Sequence, residues 1–360
     1  MKILFLTRQT IDTVFGGDTV QMYKTAESLR KLNIEVDILP SGSSINYAKY
    51  DLMHFFNIIR PADILPHLKK TNLPFVVSPI YVDYSEYEKN TALGLKKIVL
   101  SLLSKYGVEF LKVFARRIVN GERIKSWEYV FLGHKKSIQK VLKKTAMLIP
   151  NSKSEFERLS KDFSIKKKYS IAYYAVDQKD FEWKDSTIAI KDGVICVGRI
   201  EGRKNQLNLI RALNDTDIPL IIIGKPAPNH LDYFEQCKKE AGANVTFIDF
   251  MDQKDLNKYY LRSRVHVLAS WFETCGLSTM EAAVMGCNIV ITDKGDTREY
   301  FGEDAFYCEP NNVNSIKVAI LKAYQAPLNE QLRNRIIESY TWEKTAEKTL
   351  EAYKEVLNLH

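Results

Sequence analysis

Short apolar runs recur along this chain, each closed by turn residues and followed by apolar positions at helical spacing. The first, Lys2-Ile-Leu-Phe-Leu-Thr7, predicts a strand over 2–7. A glycine loop, Phe15-Gly16-Gly17-Asp18-Thr19, then leads into a helix around 19–32, with Asp18 or Thr19 as its N-cap. Strands over 35–39, 51–56 and 74–79 follow, with a helix after Pro61. A strand over 146–150, a helix from Lys153 to about Phe163 capped by Asn151-Ser152, and a strand over 169–174 complete the first half. The second half repeats the pattern with strands over 193–197, 219–223, 245–248, 264–269, 288–292 and 305–308. Helices lie between them, and a last helix covers Thr341–Leu357. Strands alternating with helices predict a mainly parallel, doubly wound sheet in each half.

Residues 84–144 break the alternation. They are mostly helical in pattern and rich in Lys, Leu and aromatics, with apolar residues at helical spacing over Ile98–Leu103 and Val108–Val119. Charge changes the picture here. The chain carries a net +8, and Lys and Arg crowd residues 95–144 against only three acids, Glu109, Glu122 and Glu128. Such a surface suits an anionic membrane face, or else an ordinary packed helix with a solvated cationic side. No recognition motif points to nucleic acid. At 360 residues, 45% hydrophobic and 27% charged, the chain has the composition of a soluble protein of two domains. No apolar run has the length of a transmembrane helix, and the N-terminus reads as a strand rather than a signal peptide. Five scattered cysteines without a C-x-x-C pair indicate reduced thiols in the cytosol.

Candidate chemistry concentrates in Trp271-Phe-Glu-Thr-Cys-Gly-Leu-Ser-Thr-Met-Glu-Ala-Ala-Val-Met-Gly286. A buried strand precedes it, a helix starts at about Leu277, and Gly286 serves as the C′ glycine. In an open α/β sheet a loop in this place, at the carboxyl end of a strand, is where ligands sit. The N–H groups of Gly276, Leu277 and Ser278 suit an anion such as a diphosphate, and Gly276 lets a ligand approach the backbone. Glu273 and Glu281 can accept hydrogen bonds from sugar or ribose hydroxyls. A plainer reading makes Glu281 a first-turn helix stabiliser and Glu273 a solvated loop residue. Arg199 and Lys204 follow the strand over 193–197 and could neutralise phosphate, or be surface cations near a turn. Asp215-Thr216-Asp217 imitates a metal-binding D-x-D but occupies a helix-to-strand turn, and no metal is expected. His54 lies within a strand and reads as core.

Glu273-x7-Glu281 with its intervening Cys-Gly-Leu-Ser-Thr-Met resembles the signature of family 4 glycosyltransferases, although Thr274 and Cys275 depart from the usual Glu-Pro/Gly-Phe-Gly loop. Gly198-Arg199 and Lys204 resemble that family's Gly-Arg…Lys pair, in the same order, and Tyr174-Ala175-Val176-Asp177 resembles its interdomain linker. The resemblance implies the GT-B fold: two Rossmann-like doubly wound domains facing a cleft, an acceptor domain over 1–175 with the insertion at about 84–144, a nucleotide-sugar domain over 176–340, and a helix over 341–360 crossing back to the first domain. It implies a retaining, metal-independent hexosyltransferase. Glu273 would bind donor-sugar hydroxyls, with Arg199 and Lys204 on the leaving group. Glu281 would hold the ribose, and Gly276, Leu277 and Ser278 the diphosphate, with Gly198, Gly16 and Gly17 also at the donor. Acceptor contacts at Asn57, Tyr81 and Asp83 are the least defined, because the family's frequent His residues are replaced here by Asn57 and by Ser78-Pro79-Ile80-Tyr81.

The expected substrate pair is a nucleotide-sugar donor and a saccharide acceptor, polyprenyl-linked, in assembly of bacterial O-antigen or capsule. The expected place is the cytoplasm, at the inner face of the plasma membrane through residues 95–144. Three other readings remain open. They are a nucleotide-sugar-binding protein without turnover, a GT-B epimerase, and a glycoside hydrolase using Glu273 and Glu281 as paired carboxylates.

Overall fold

The computed structural model describes the chain except residues 9–10, 12–15, 92–93, 95–101, 121–125, 178–180, 182–190 and 360, and, beyond these, the side chains of 115–120 and 253. It divides into two compact units: Met1–Tyr81 with Ser85–Tyr174 and Trp342–His360, and Val82–Tyr84 with Ala175–Thr341.

The first unit holds β1 (Lys2–Thr7), β2 (Glu35–Pro40), β3 (Leu52–Phe56), β4 (Phe75–Ser78) and β5 (Met147–Leu148). They form one parallel sheet in the order β2-β1-β3-β4-β5. Alternate side chains of these buried strands feed two cores. Ile3, Phe5 and Val76 pack against the helix Gly17–Lys31 and Tyr353 of the last helix, Trp342–Leu357. Leu4, Leu6 and Val77 pack against Tyr129, Ile138 and Val141 of the helix Trp127–Lys144. His54 is a core residue, as its strand position predicts. Its Nδ1 lies 2.6 Å from the Tyr353 hydroxyl and its Nε2 2.9 Å from Ser78 Oγ. Burial pushes its imidazole down to about 3, so the ring is neutral.

The second unit holds β6 (Val194–Val197), β7 (Leu220–Ile223), β8 (Val245–Ile248), β9 (Val265–Leu268), β10 (Asn288–Thr292) and β11 (Phe306–Cys308). All are parallel, in the order β11-β10-β9-β6-β7-β8. The chain leaves β6 toward β7 and returns to it from the other side as β9, so the strand order reverses between β6 and β9. That junction is where an open α/β sheet opens a crevice at its carboxyl edge.

Several sequence expectations need correction. The expected strand over 169–174 is only an isolated bridge, Tyr169 to Leu148, because β5 offers just two residues to pair with. The helix after Pro61 is a single turn, Pro61–Ile64. Neither Asp18 nor Thr19 caps the first helix. Gly16 is the N-cap, and Asp18 instead pairs with Arg8 at 3.3 Å. The helices Thr297–Phe301 and Glu330–Ser339 were not expected. In the insertion, helices cover Ser85–Thr91, Lys105–Asn120 and Trp127–Lys144, while most of the Ile98–Leu103 stretch lies outside the described residues. No described helix is long and apolar enough to cross a membrane. All five cysteines are buried and unpaired.

A buried lysine holds two helices of the second unit together. Lys191 Nζ donates to the carbonyls of Tyr260 (3.0 Å), Ser263 (3.3 Å) and Met285 (2.9 Å). These carbonyls end the helices Gln253–Arg262 and Leu277–Val284. A cation there answers the partial negative charge of two helix C-termini, and burial draws its pKa below the usual lysine value. Lys191→Met removes the charged donor from these carbonyls and leaves the weak Cys287 thiol at Tyr260 O (3.2 Å) and Ser263 O (3.3 Å). It should cost about 2–4 kcal/mol in chemical denaturation, and Lys191→Arg should recover part of the loss.

Candidate functional site

Both loops at the β6/β9 junction carry charge. After β6 the chain turns at Gly198, whose φ of +152° takes it past Arg199 into Glu201 and the turn Gly202–Lys204. Asn205 ends the turn in the left-handed region, φ 63°, which asparagine tolerates. Its side-chain amide donates to Ala269 O (3.0 Å) and Pro310 O (2.7 Å), fastening this loop to those after β9 and β11. Gln206 Nε2 donates to Arg199 O at 2.9 Å. The neighbouring loop after β7 fits so closely that a Cβ on Gly224 would stand 2.1 Å from Gly198 O.

After β9, Trp271 N–H donates to Arg203 O (3.0 Å), joining the two loops directly. Glu273 follows, with its own backbone clamped. It donates to Lys294 O (3.1 Å) and accepts from Asp296 N–H (2.9 Å), and a Cβ on Gly295 would fall 1.8 Å from Glu273 O. Gly276 caps the helix Leu277–Val284 with φ +66°. A Cβ there would lie 2.9 Å from Thr279 Oγ1 and 3.1 Å from Leu268 Cδ2, so glycine is required. The first-turn N–H groups of Leu277 and Ser278 have no intrahelical acceptor and suit an anion. The Ser278 hydroxyl is already spent, donating to Val197 O at 3.0 Å, and so ties this helix to β6.

The charges interlock across the two loops. Lys204 Nζ donates to Glu273 Oε1 at 2.5 Å, with Glu273 buried. Burial lowers the Lys204 pKa, but the Glu273 charge more than offsets this and leaves the ammonium above its usual value. Glu201 is buried between Arg203 Nε (2.8 Å) and Arg199 Nη2 (3.8 Å). Its burial penalty is outweighed by the Arg203, Arg199 and Lys204 charges, so it stays ionised below the usual carboxylate range. Arg203 also lies 4.9 Å from the Tyr84 ring centroid, and Tyr84 meets Phe272 edge-on at 6.0 Å. Arg199 is the most open of these three cations. Glu281 Oε2 accepts from the buried Tyr260 hydroxyl at 3.1 Å, which braces it on the side of the helix Gln253–Arg262.

Arg199, Lys204, Glu273, Gly198 and the amides of Gly276, Leu277 and Ser278 thus share one junction, with Glu281 one turn along. Glu201, Arg203, Tyr84 and Tyr260 were missed by sequence reasoning. The one available signal was Glu201 flanked at equal spacing by Arg199 and Arg203. The two carboxylates have different partners, Glu273 the Lys204 ammonium and Glu281 the Tyr260 hydroxyl. Among the described residues no group of three or more His, Cys, Asp or Glu could hold a metal. Asp215 is an exposed turn residue, paired with Lys317 at 2.5 Å.

The remaining expected residues stand in the first unit or at its border. Gly16 and Gly17 begin the helix after β1. Asn57 follows β3 with φ 71°, and its side chain accepts from Ile59 N–H at 3.2 Å, a turn-forming role. Tyr81 is buried. Its hydroxyl donates to Asp162 at 2.6 Å and its N–H to Glu155 at 2.6 Å, so it is a packing residue rather than an open acceptor contact. Asp83 lies on Val82–Tyr84, the segment that joins the second unit.

Removing Lys204 leaves a buried carboxylate without its cation. Lys204→Ala should lower stability by about 2–4 kcal/mol in urea unfolding. Adding Glu273→Gln should restore much of that loss in a double-mutant cycle, and additive losses would contradict the pairing.

Residues 179–341 match the family described as glycosyl transferases group 1. The chain is 27% identical over 318 residues, 84% of its length and 85% of the relative's, to N-acetylgalactosamine-N,N'-diacetylbacillosaminyl-diphospho-undecaprenol 4-alpha-N-acetylgalactosaminyltransferase of Campylobacter jejuni. Its fold is similar to that of sucrose-phosphate synthase from Thermosynechococcus elongatus, with a TM-score of 0.76 at 16% identity over 99% of both chains. It is also similar to that of Anabaena HepE in complex with UDP and glucose, with a TM-score of 0.70 at 13% identity over 99% of this chain and 100% of that one. Residues 179–341 therefore match the group 1 glycosyltransferases, and the chain as a whole is a transferase with the GT-B fold.

Proposed function

We propose that the protein is a retaining glycosyltransferase that moves a sugar from a nucleotide-diphosphate donor to a saccharide acceptor carried on a polyprenyl lipid, in the assembly of bacterial O-antigen or capsule. The observation that carries this reading is the meeting of Arg199, Lys204, Glu273 and the N-terminus of Leu277–Val284 at the β6/β9 junction. The donor diphosphate lies against the amides of Gly276, Leu277 and Ser278, with Arg199 beside it. Lys204 exchanges its Glu273 partner for a phosphate oxygen, which frees the carboxylate to accept from sugar hydroxyls. Glu281, braced by Tyr260, receives the ribose.

The reaction follows from that placement. The acceptor hydroxyl oxygen bonds to the anomeric carbon on the face from which the diphosphate leaves. The bond from that carbon to the phosphate oxygen breaks, and the departing oxygen takes the hydroxyl proton, so no protein nucleophile is needed. Negative charge grows on the diphosphate, where Arg199, Lys204 and the helix N-terminus stabilise it in place of a metal. The lipid-linked acceptor is supported by the undecaprenol named in the Campylobacter relative and by the basic 84–144 insertion, which suits the inner face of the plasma membrane.

The test is incubation with a panel of nucleotide sugars and polyprenyl-diphosphate saccharides, with and without EDTA, and NMR of the product. One donor should give transfer with its anomeric configuration kept and with no loss in EDTA. Arg199→Ala should lower kcat/KM by about 100-fold or more. An inverted product or EDTA inactivation would overturn the mechanism. Donor binding without transfer would favour a nucleotide-sugar-binding protein or an epimerase.

A further inference from the structure

We propose that Trp127 and Phe131 form an aromatic wedge that enters the headgroup layer of an anionic phospholipid bilayer and seats the first unit on it. The wedge presupposes the membrane-borne acceptor proposed above, and it names the side chains and the kind of contact. Trp127 is 78% exposed and Phe131 86%, whereas the other tryptophans among the described residues, Trp271 and Trp342, are 6% and 4% exposed. Two further large apolar side chains of the insertion are open, Leu102 at 80% and Leu111 at 51%.

The exposure is built rather than accidental. Trp127 and Phe131 stand one turn apart on the helix Trp127–Lys144 and share a face. Tyr129 between them points the other way and is fully buried, its ring tilted against Phe110 with centroids 5.5 Å apart and its hydroxyl 3.1 Å from His134 Nδ1. Ser126 Oγ accepts from Tyr129 N–H at 3.2 Å and caps this turn. Gly133, with φ 72°, interrupts the helix just beyond the wedge, setting its first turns off from the part that buries Ile138, Val141 and Leu142. The two rings are therefore held outward by a fixed turn.

The surrounding charge selects the partner. Glu128 is the one acid in the sequence of this helix, and Lys140 and Lys69 already neutralise it. Lys135 and Lys136, both exposed, continue beyond the wedge. Aromatic rings with basic neighbours match the membrane interface, where Trp is at home and Lys meets anionic headgroups. Stable seating takes two signals, and the exposed rings with the exposed Lys135 and Lys136 of the same helix supply both. A second copy of the chain would oppose one basic face to another, which is repulsive.

The test is flotation of the full chain with phosphatidylcholine vesicles, with and without phosphatidylglycerol, at low and high salt. The chain should float with anionic vesicles, and a fraction should persist at high salt, because screening weakens charge contacts but not ring insertion. Trp127→Ala with Phe131→Ala should weaken vesicle binding by about tenfold or more and abolish the salt-resistant fraction. Trp127→Phe should retain most binding. The double variant should keep the wild-type melting temperature and its transfer to a water-soluble saccharide, so failure here is distinct from failure of the transferase reading. Absence of wild-type flotation, undiminished flotation of the double variant, or a wild type that proves dimeric in solution while the double variant is monomeric would each overturn the wedge.

Discussion

Two parallel strands that continue in opposite directions across a sheet cannot both be covered at their carboxyl ends by the same connection. At β6 and β9 this leaves room between the loops, and the rest of the second unit is arranged to hold those loops in place. Asn205 reaches across to Ala269 and Pro310, Arg203 and Trp271 share a backbone hydrogen bond, and Gly295 makes room for the Glu273 carbonyl. Ser278 and Lys191 hold the following helix at either end. What this frame positions is one ion pair, Lys204 to Glu273, with Arg199 standing more open beside it.

The pair matters because a buried carboxylate and its lysine are a matched but exchangeable couple. A diphosphate offers the lysine a stronger acceptor than one carboxylate does, and hydroxyls offer the carboxylate a neutral replacement. Glu201 adds a second, more buried couple with Arg203, whose other face lies on Tyr84. Arg199, Arg203 and Lys204 stand against Glu201 and Glu273, with Glu281 one turn further along the helix.

Much of this architecture was legible in the sequence, because strands buried on both faces read as unbroken apolar runs. The runs at Val194–Val197, Val265–Leu268 and Asn288–Thr292 fell where the pattern put them, as did the helix start at Leu277. The strand over 169–174 did not form, because apolar residues there had no adequate neighbour to pair with. Arg199, Lys204 and Glu273 were visible as residue types at suggestive positions, but their pairing was not. Lys204 reaches Glu273 only because Asn205 adopts a left-handed conformation and the strand order reverses, and neither is a local property. Lys191 read as one more lysine, since its burial depends on two helix ends that meet far along the chain. Tyr81 read as an acceptor contact, whereas it is buried with its hydroxyl donating to Asp162. The apolar pattern at Trp127 and Phe131 carried no sign of facing outward, because helical spacing alone does not say which face is covered.

The most direct test of the exchangeable ion pair is calorimetric titration of the wild type with nucleoside diphosphates and monophosphates, beside Lys204→Ala and Arg199→Ala. The diphosphate should bind the wild type more tightly than its monophosphate, and each substitution should weaken diphosphate binding by about 10- to 100-fold while changing monophosphate binding far less. Diphosphate affinity unchanged by both substitutions would contradict the account and place the donor elsewhere.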